Sequence, residues 1–395
     1  MTAQQTQSPI SQKTQRLFQI LLIAGVAMLV FGLFFDAQRA WSNVLLVSLF
    51  LLGIGMGAAV FIAAIYLTGA RWINGIRQLP AAVCSPLVAG AIGLALVLIA
   101  RPSLYQWHDP TPEIEQFLSG FKGAWLQRPF FLFRSAVYLV LWVFIVRALV
   151  RFTRQHAASG DQSLVTRNTR VSAVFIVVYM ITGSLSAFDW IMSIEPEWFS
   201  TIFGIFNFIG CFNAALSVMI LLAIWLKRRG PLCTNLTENH LHDLGKLLFA
   251  FSTFWMYIWF SQYMLIWYTN IPEETFYFVH RLEGAWAPLF LLNVALNWVV
   301  PFFGLMSARA KRTEHIMLKI AVVVLVGHWL DLYLMIMPGT GGHGPAFGIP
   351  EIAGVAGGFG LFGLVLTRDL LKNRAGLLDD STEDTSAALR LSPGH

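Results

Sequence analysis

The chain has 395 residues, of which 56% are hydrophobic and 12% charged. A soluble globular domain is nearer one quarter charged, so this composition excludes a soluble protein and points to an integral membrane one. The formal net charge of +6 then bears on membrane orientation rather than on nucleic acid, because no interleaved polar surface accompanies the basic residues.

In chain order, a polar tail over 1–16 precedes ten apolar runs. They are Leu17–Phe35, Val44–Leu67, Ala81–Ala100, Phe131–Val150, Val171–Phe188, Thr201–Leu226, Leu244–Tyr268, Trp286–Leu305, Ile316–Met337 and Ile349–Leu371. Each meets the span length of about 17–25 residues. In lipid each must be helical, because backbone groups need partners within their own segment. The expectation is an all-α integral membrane protein with ten transmembrane helices over 17–371 and a flexible polar tail over 372–395. The first run lacks a small-x-small cleavage site after it and reads as an uncleaved span.

Lys and Arg gather in the first tail and in alternate connections: Lys13 and Arg16, Arg71 and Arg77, Arg147 to Arg170, Lys227 to Lys246, Arg309 to Lys319, and Arg368 to Arg390. The positive-inside rule places both termini in the cytoplasm. Twelve of the 21 acids, from Asp36 and Asp109 through Asp189 and Glu283 to Asp331 and Glu351, fall in the opposite connections or near the matching span ends. The longest such connection, Arg101 to Pro129, contains "DPTPEIEQFLSGF". That stretch predicts a short helix capped by Thr111, with Pro112 at its first position and Glu113 and Glu115 in its first turn. Gly53 with Gly57, and Gly354 with Gly358, match the small-xxx-small pattern of closely packed helices.

Cys84, Cys211 and Cys233 form no CxxC, which leaves no zinc knuckle, iron–sulfur run or CxxCH haem attachment. Only His328 lies well inside a run, so no histidine pair at matching depth offers axial ligands to a b-type haem. No phosphate loop, GxSxG or HExxH is present. The chain is expected to bind no cofactor or metal of its own.

Ionisable residues in or near spans are therefore the candidates, since burying them in lipid is costly. Arg134 is either a snorkelling cation or a buried partner for a carboxylate. His328 and Asp331 are three apart, which puts them on one helix face, as a proton relay or a structural pair. Asp189 ends the fifth run as an entry carboxylate or an interfacial cap. Glu195 and Glu197 flank Pro196 in a turn and are expected to be wetter. Glu273 and Glu274 follow a similar acidic turn beside Pro272. Glu283 forms an interfacial pair with Arg281 or belongs to the proton path. Trp190, Trp198, Trp267, Tyr268, Trp286 and Trp298 suit interfacial belts. "FSTFWMYIWFSQYMLIWY" is denser than a belt needs and offers a wall for a quinone ring or a protein, or core packing.

Several long blocks carry a family resemblance: "AFDWIMSIEPEWFSTIFG", "HDLGKLLFAFSTFWMYIWFSQYMLIWYTNIPEET", "PFFLFRSAVY", "NWVVPFFGLMSARAKR" and "LDLYLMIMPG". Together they resemble the cofactor-free polytopic membrane subunit of bacterial alternative complex III, a quinol:cytochrome c oxidoreductase. That subunit belongs with the NrfD/polysulfide-reductase membrane anchors. The resemblance implies ten helices, eight of them in two four-helix bundles with two peripheral, in the bacterial inner membrane. It implies a sister polytopic subunit that oxidises quinol, an iron–sulfur subunit and haem c subunits as partners. Quinol, haem c and iron–sulfur clusters would then lie in those partners, and this chain would offer scaffold and a proton route. Two other readings stand beside it: a purely structural NrfD-type anchor of another iron–sulfur or molybdenum enzyme, and a stand-alone secondary transporter. Pro86 and Pro301 interrupt spans at unmatched positions, without the inverted repeat common in transporters.

Overall fold

Long apolar runs give long helices, and their polar or glycine neighbours set the ends. The computed structural model describes residues 11–70, 72–73, 76–229, 236–341 and 344–373. Most of the two tails, together with Arg71, Cys233, His343, Arg374 and Arg390, lies outside the described residues. The described residues are all-helical, with no strand among them.

The helices are α1 (Gln12–Phe35), α2 (Ala37–Thr68), α3 (Gln78–Val83), α4 (Leu87–Ala100), α5 (Pro112–Phe117), α6 (Gly120–Trp125), α7 (Arg128–Ser159), α8 (Gln162–Trp190), α9 (Phe203–Arg229), α10 (Glu238–Thr269), α11 (Pro272–Leu282), α12 (Ala287–Val294), α13 (Val300–Gly304), α14 (Ala308–Arg312), α15 (Glu314–Gly341) and α16 (Ile349–Lys372). Local chemistry explains many of the boundaries. Ser11 Oγ accepts the N–H groups of Lys13 and Thr14 at the start of α1, and Gly69 ends α2 in the left-handed region at φ 61°. Thr111 caps α5 with Pro112 first, as the sequence predicts.

Among the described residues, nine helical stretches are long and apolar enough to cross a membrane. They coincide with nine of the ten apolar runs. The remaining run, Leu244–Tyr268, lies within α10, which is 32 residues long. Its Trp, Tyr, Ser and Gln residues make it less apolar than the others.

Three prolines mark breaks. Pro86 stands between α3 and α4. A π-helical turn over Ala295–Val299 precedes Pro301, which has no N–H for the carbonyl of Asn297. Pro338 lies inside α15 and withholds an N–H from the carbonyl of Leu334.

The core is built around α2, which packs on α4, α8, α9, α15 and α16. The helices α9, α10, α15 and the α12–π–α13 segment pack together, as do α2, α4, α7 and α8. α1 packs chiefly on α16. Close approach there needs glycine: a Cβ on Gly25 would lie 2.3 Å from the Gly357 nitrogen. The pair Gly53 and Gly57 read from the sequence is used likewise, since a Cβ on Gly57 would lie 2.6 Å from the Cys211 carbonyl oxygen, while Gly354 and Gly358 lie against Asn43 and Val47 of α2.

Polar contacts define two ends of the bundle. The acid-rich end joins the start of α2 to the start of α16 through Arg39 and Glu351, whose Nε–Oε1 distance is 2.7 Å. It joins α6 to the turn after α8 through a hydrogen bond from Lys122 Nζ to the Pro196 carbonyl. The arginine-rich end joins α7 to α16 through Arg154 and Asp369 at 2.6 Å, and α9 to α15 through Lys227 and Glu314 at 2.7 Å.

Candidate functional site

The first polar cluster lies between α7 and α8 at the acid-rich end. Arg134 Nη2 and Nε donate to the two carboxylate oxygens of Asp189 at 2.8 and 3.2 Å, a bidentate pair. Both residues are buried. Trp125 Nε1 also donates to Asp189 at 2.8 Å, and its ring lies 3.9 Å from the guanidinium carbon. Arg134 is thus the buried partner of a carboxylate, and not a snorkelling cation. Every polar atom of the pair is engaged within reach, which suits a clamp between helices.

The second cluster joins the turn after α8 to α11. Glu195 is buried and accepts from Arg281 Nη2 at 2.6 Å. Sequence position suggested a wet Glu195 and an Arg281–Glu283 pair; the structure corrects both. Residues two apart on a helix do not face each other, and Arg281 turns inward while Glu283 caps α11 and is exposed. Arg281 also donates to the carbonyls of Tyr277 and Leu334, both at 2.9 Å. The Tyr277 ring lies 3.5 Å from its guanidinium carbon and stacks on Trp198 at 3.9 Å. Burial works against the charge of Arg281, but Glu195 and Tyr277 together outweigh it and raise the guanidinium pKa. Burial, opposed by Arg281, pushes the Tyr277 phenol up to about 12. Glu197 is half-buried, Glu273 is exposed and Glu274 half-buried, the last two in the first turn of α11.

The third cluster lies deeper. Asp331 is 3% exposed, and no ion pair among the described residues includes it. Its oxygens accept from Asn293 Nδ2 at 2.7 Å and Trp255 Nε1 at 3.1 Å. Asn297 Nδ2, in the π turn, donates to the Asn293 side-chain oxygen at 2.7 Å. His328 is wholly buried and stacks on Phe50, with ring centroids 5.6 Å apart. Neither of its ring nitrogens has a hydrogen-bond partner. The three-residue spacing does place His328 and Asp331 on one face, against Gly210 of α9. A Cβ there would lie 2.8 Å from His328 Nδ1 and 3.6 Å from Asp331 Oδ2. They do not hydrogen-bond to each other.

A cavity of about 20 Å³ lies between the second and third clusters, lined by Arg281 and Tyr277 of the one, Asp331 and Asn293 of the other, and Gln262 of α10. The amides Asn293, Asn297 and Gln262 carry no charge and are not among the sequence candidates. Their signal was present: two Asn four apart in "LLNVALNWVV" share a helix face. Among the described residues, no group of three or more His, Cys, Asp or Glu is placed to hold a metal ion. No protein-family model matches the chain, and no curated protein matches it.

Proposed function

We propose that the chain is a membrane subunit of a bacterial respiratory quinol:electron-acceptor oxidoreductase of the alternative complex III type, supplying scaffold and a proton-conducting route. The observation that carries the proton role is Asp331 with His328. A carboxylate and an imidazole lie deep in α15, with no ion pair to either among the described residues and with both imidazole nitrogens free. Burial of such groups in a membrane helix is costly and marks ion or proton pathways.

On this reading α10 is the tenth crossing, both termini are cytoplasmic, and the acid-rich end faces outward. The packing supports two four-helix bundles, α2–α4–α7–α8 and α9–α10–α12/α13–α15, with α1 and α16 at the periphery. Quinol oxidation and electron transfer take place in the sister, iron–sulfur and haem c subunits. In this chain Asp331, whose oxygens accept from Asn293 and Trp255, takes and gives a proton, and His328, one turn away, takes or gives one through its free nitrogens. Arg134 and Asp189 hold α7 to α8 and stand outside the route.

The test is Asp331→Asn and His328→Gln in the assembled complex, with proton release per quinol measured in proteoliposomes. A lowered stoichiometry with quinol oxidation retained is expected for each. Unchanged stoichiometry in both removes the proton role and leaves a structural anchor. Mild purification should bring a sister subunit and c-type haem absorbance with the chain. Isolation as a stable lone protein would favour the transporter reading.

A further inference from the structure

The cavity between Arg281 and Asp331 has a polar atom with nothing to bond. Gln262 on α10 is 6% exposed and its Oε1 is buried without a hydrogen-bond partner, while the residue itself lines the cavity. An unpaired buried amide oxygen is costly unless water satisfies it. The space, about 20 Å³ for the centre of a water-sized sphere, suffices for one water molecule. Asp331 and Asn293 line the same space and supply the further polar partners that a buried water needs.

The geometry points to a water-binding site at Gln262 and Asp331, and to the Arg281–Glu195 pair as the closure between that water and the acid-rich end. The position of the pair argues for the second part. Arg281 and Tyr277 line the cavity, and Glu195, itself buried, holds Arg281 through its ion pair at 2.6 Å. The elements they join are short and close to the end: α11 has 11 residues, and Glu195 sits in the turn after α8. Gln262 lies some seven residues from the last residue of α10, Thr269, a depth of about 10 Å at 1.5 Å per residue. Asp331 lies about 15 Å from the end of α15 at Gly341. Phe50 stacks on the His328 ring and Gly210 lies against it, so that ring is enclosed. Asp331 therefore exchanges with the acid-rich end, and parting of one ion pair opens the way. This inference rests on the proton role proposed for Asp331, and it names the side and the gate.

The experiment is Gln262→Cys in the full complex, in sealed vesicles of either orientation, treated with a small cationic methanethiosulfonate. Modification at position 262 is followed by mass spectrometry, which separates it from the native cysteines. Slow labelling from the acid-rich end is expected, rising at least tenfold when Glu195→Gln is added. Labelling from the arginine-rich end alone, no labelling in either background, or a rate indifferent to Glu195→Gln would overturn the proposal. Should Glu195→Gln not assemble, Glu195→Asp, which shortens the reach to Arg281, serves as the second variant with the same two outcomes. Because the labelling needs no quinol, a gated site with an unaltered proton stoichiometry in Asp331→Asn would remove the proton role and keep the closure.

Discussion

Arg281 Nε donates to the carbonyl oxygen of Leu334 at 2.9 Å. That carbonyl is the one that Pro338, four residues on, leaves without a helical N–H. The guanidinium therefore satisfies a break in α15 while its other nitrogens hold Glu195 and the Tyr277 carbonyl. One side chain ties the turn after α8, α11 and the end of α15 together.

Arg281→Leu should accordingly cost more than a surface substitution. It strands a buried carboxylate and an unpaired carbonyl at once. Loss of one partner of a buried pair costs about 3–5 kcal/mol. Thermal unfolding in detergent should show a fall of that order. Arg281→Leu combined with Glu195→Gln should recover part of it, because the stranded charge is gone. Equal stability of the single variant and the parent would show that the clamp carries no load.

The Arg134–Asp189 pair makes a second, separable test. Arg134→Met leaves Asp189 with Trp125 as its side-chain donor and should destabilise by about 3 kcal/mol or more. Arg134→Lys keeps the charge but not the two-point fork, and should fall between the two. Since the pair is read as structural, proton release per quinol should not change in Arg134→Lys. A changed ratio with intact assembly would draw this cluster back into the route.

The helices were legible in the sequence because span length and apolarity are dictated by lipid alone. Thr111 and Pro112 were legible for a local reason, as were the close-packing glycines Gly53 and Gly57. The partners of charged residues were not. Arg281 has Glu283 beside it in the chain, yet its carboxylate comes from Glu195, 86 positions away. Glu195 looked wet because it adjoins Pro196 in a turn, and a turn's burial depends on what packs over it. Arg134 and Asp189, 55 apart, were each singled out as costly residues near a span end. Their pairing needed the packing of α7 on α8. The amides around Asp331 carry no charge, so the cost of burying an ion does not single them out in the sequence.

Contact between α1 and α16 rests on backbone proximity at Gly25 and Gly357. A Cβ on Gly25 would fall 2.3 Å from a backbone nitrogen and 2.4 Å from the Gly357 Cα, neither of which can turn aside. Gly25→Leu should therefore part the two helices. Overpacking of this kind costs about 1–3 kcal/mol. Hydrogen exchange should rise in α1 and α16 and stay unchanged in α9 and α15. Uniform change across all four, or none, would contradict a peripheral pair seated mainly on itself.

Asp161 supplies a pH test outside the spans. It caps α8, accepting the Ser163 hydroxyl at 2.7 Å and the Ser163 N–H at 2.8 Å, and these bonds hold its carboxyl below the usual value. A depressed folded pKa gives stability that is present above the unfolded pKa, about 3.9, and is lost as pH falls through the folded one. Amide exchange in the first turn of α8, corrected for intrinsic rate, should accelerate as pH drops below about 4. Asp161→Asn keeps a capping oxygen but does not titrate, so its exchange should lose that pH dependence. An identical profile in both chains would assign the effect to another group.

Gly210 tests how tightly the His328 site is closed. Alanine in a helix interior is favoured over glycine by about 1 kcal/mol, so Gly210→Ala would stabilise α9 if space allowed. The structure denies the space: the new Cβ would lie 2.8 and 2.9 Å from Nδ1 and Cε1 of His328. The ring is wholly buried and stacked on Phe50, so it has little room to retreat. Gly210→Ala should therefore destabilise, by about 1–3 kcal/mol. His328→Ala removes the obstacle, and the double variant should be more stable than the sum of the two single changes predicts, an interaction of about 0.5–3 kcal/mol. Strict additivity in unfolding measurements on the four chains would mean that α9 and α15 do not meet at this point. The relay read from His328 would then lose its geometric basis.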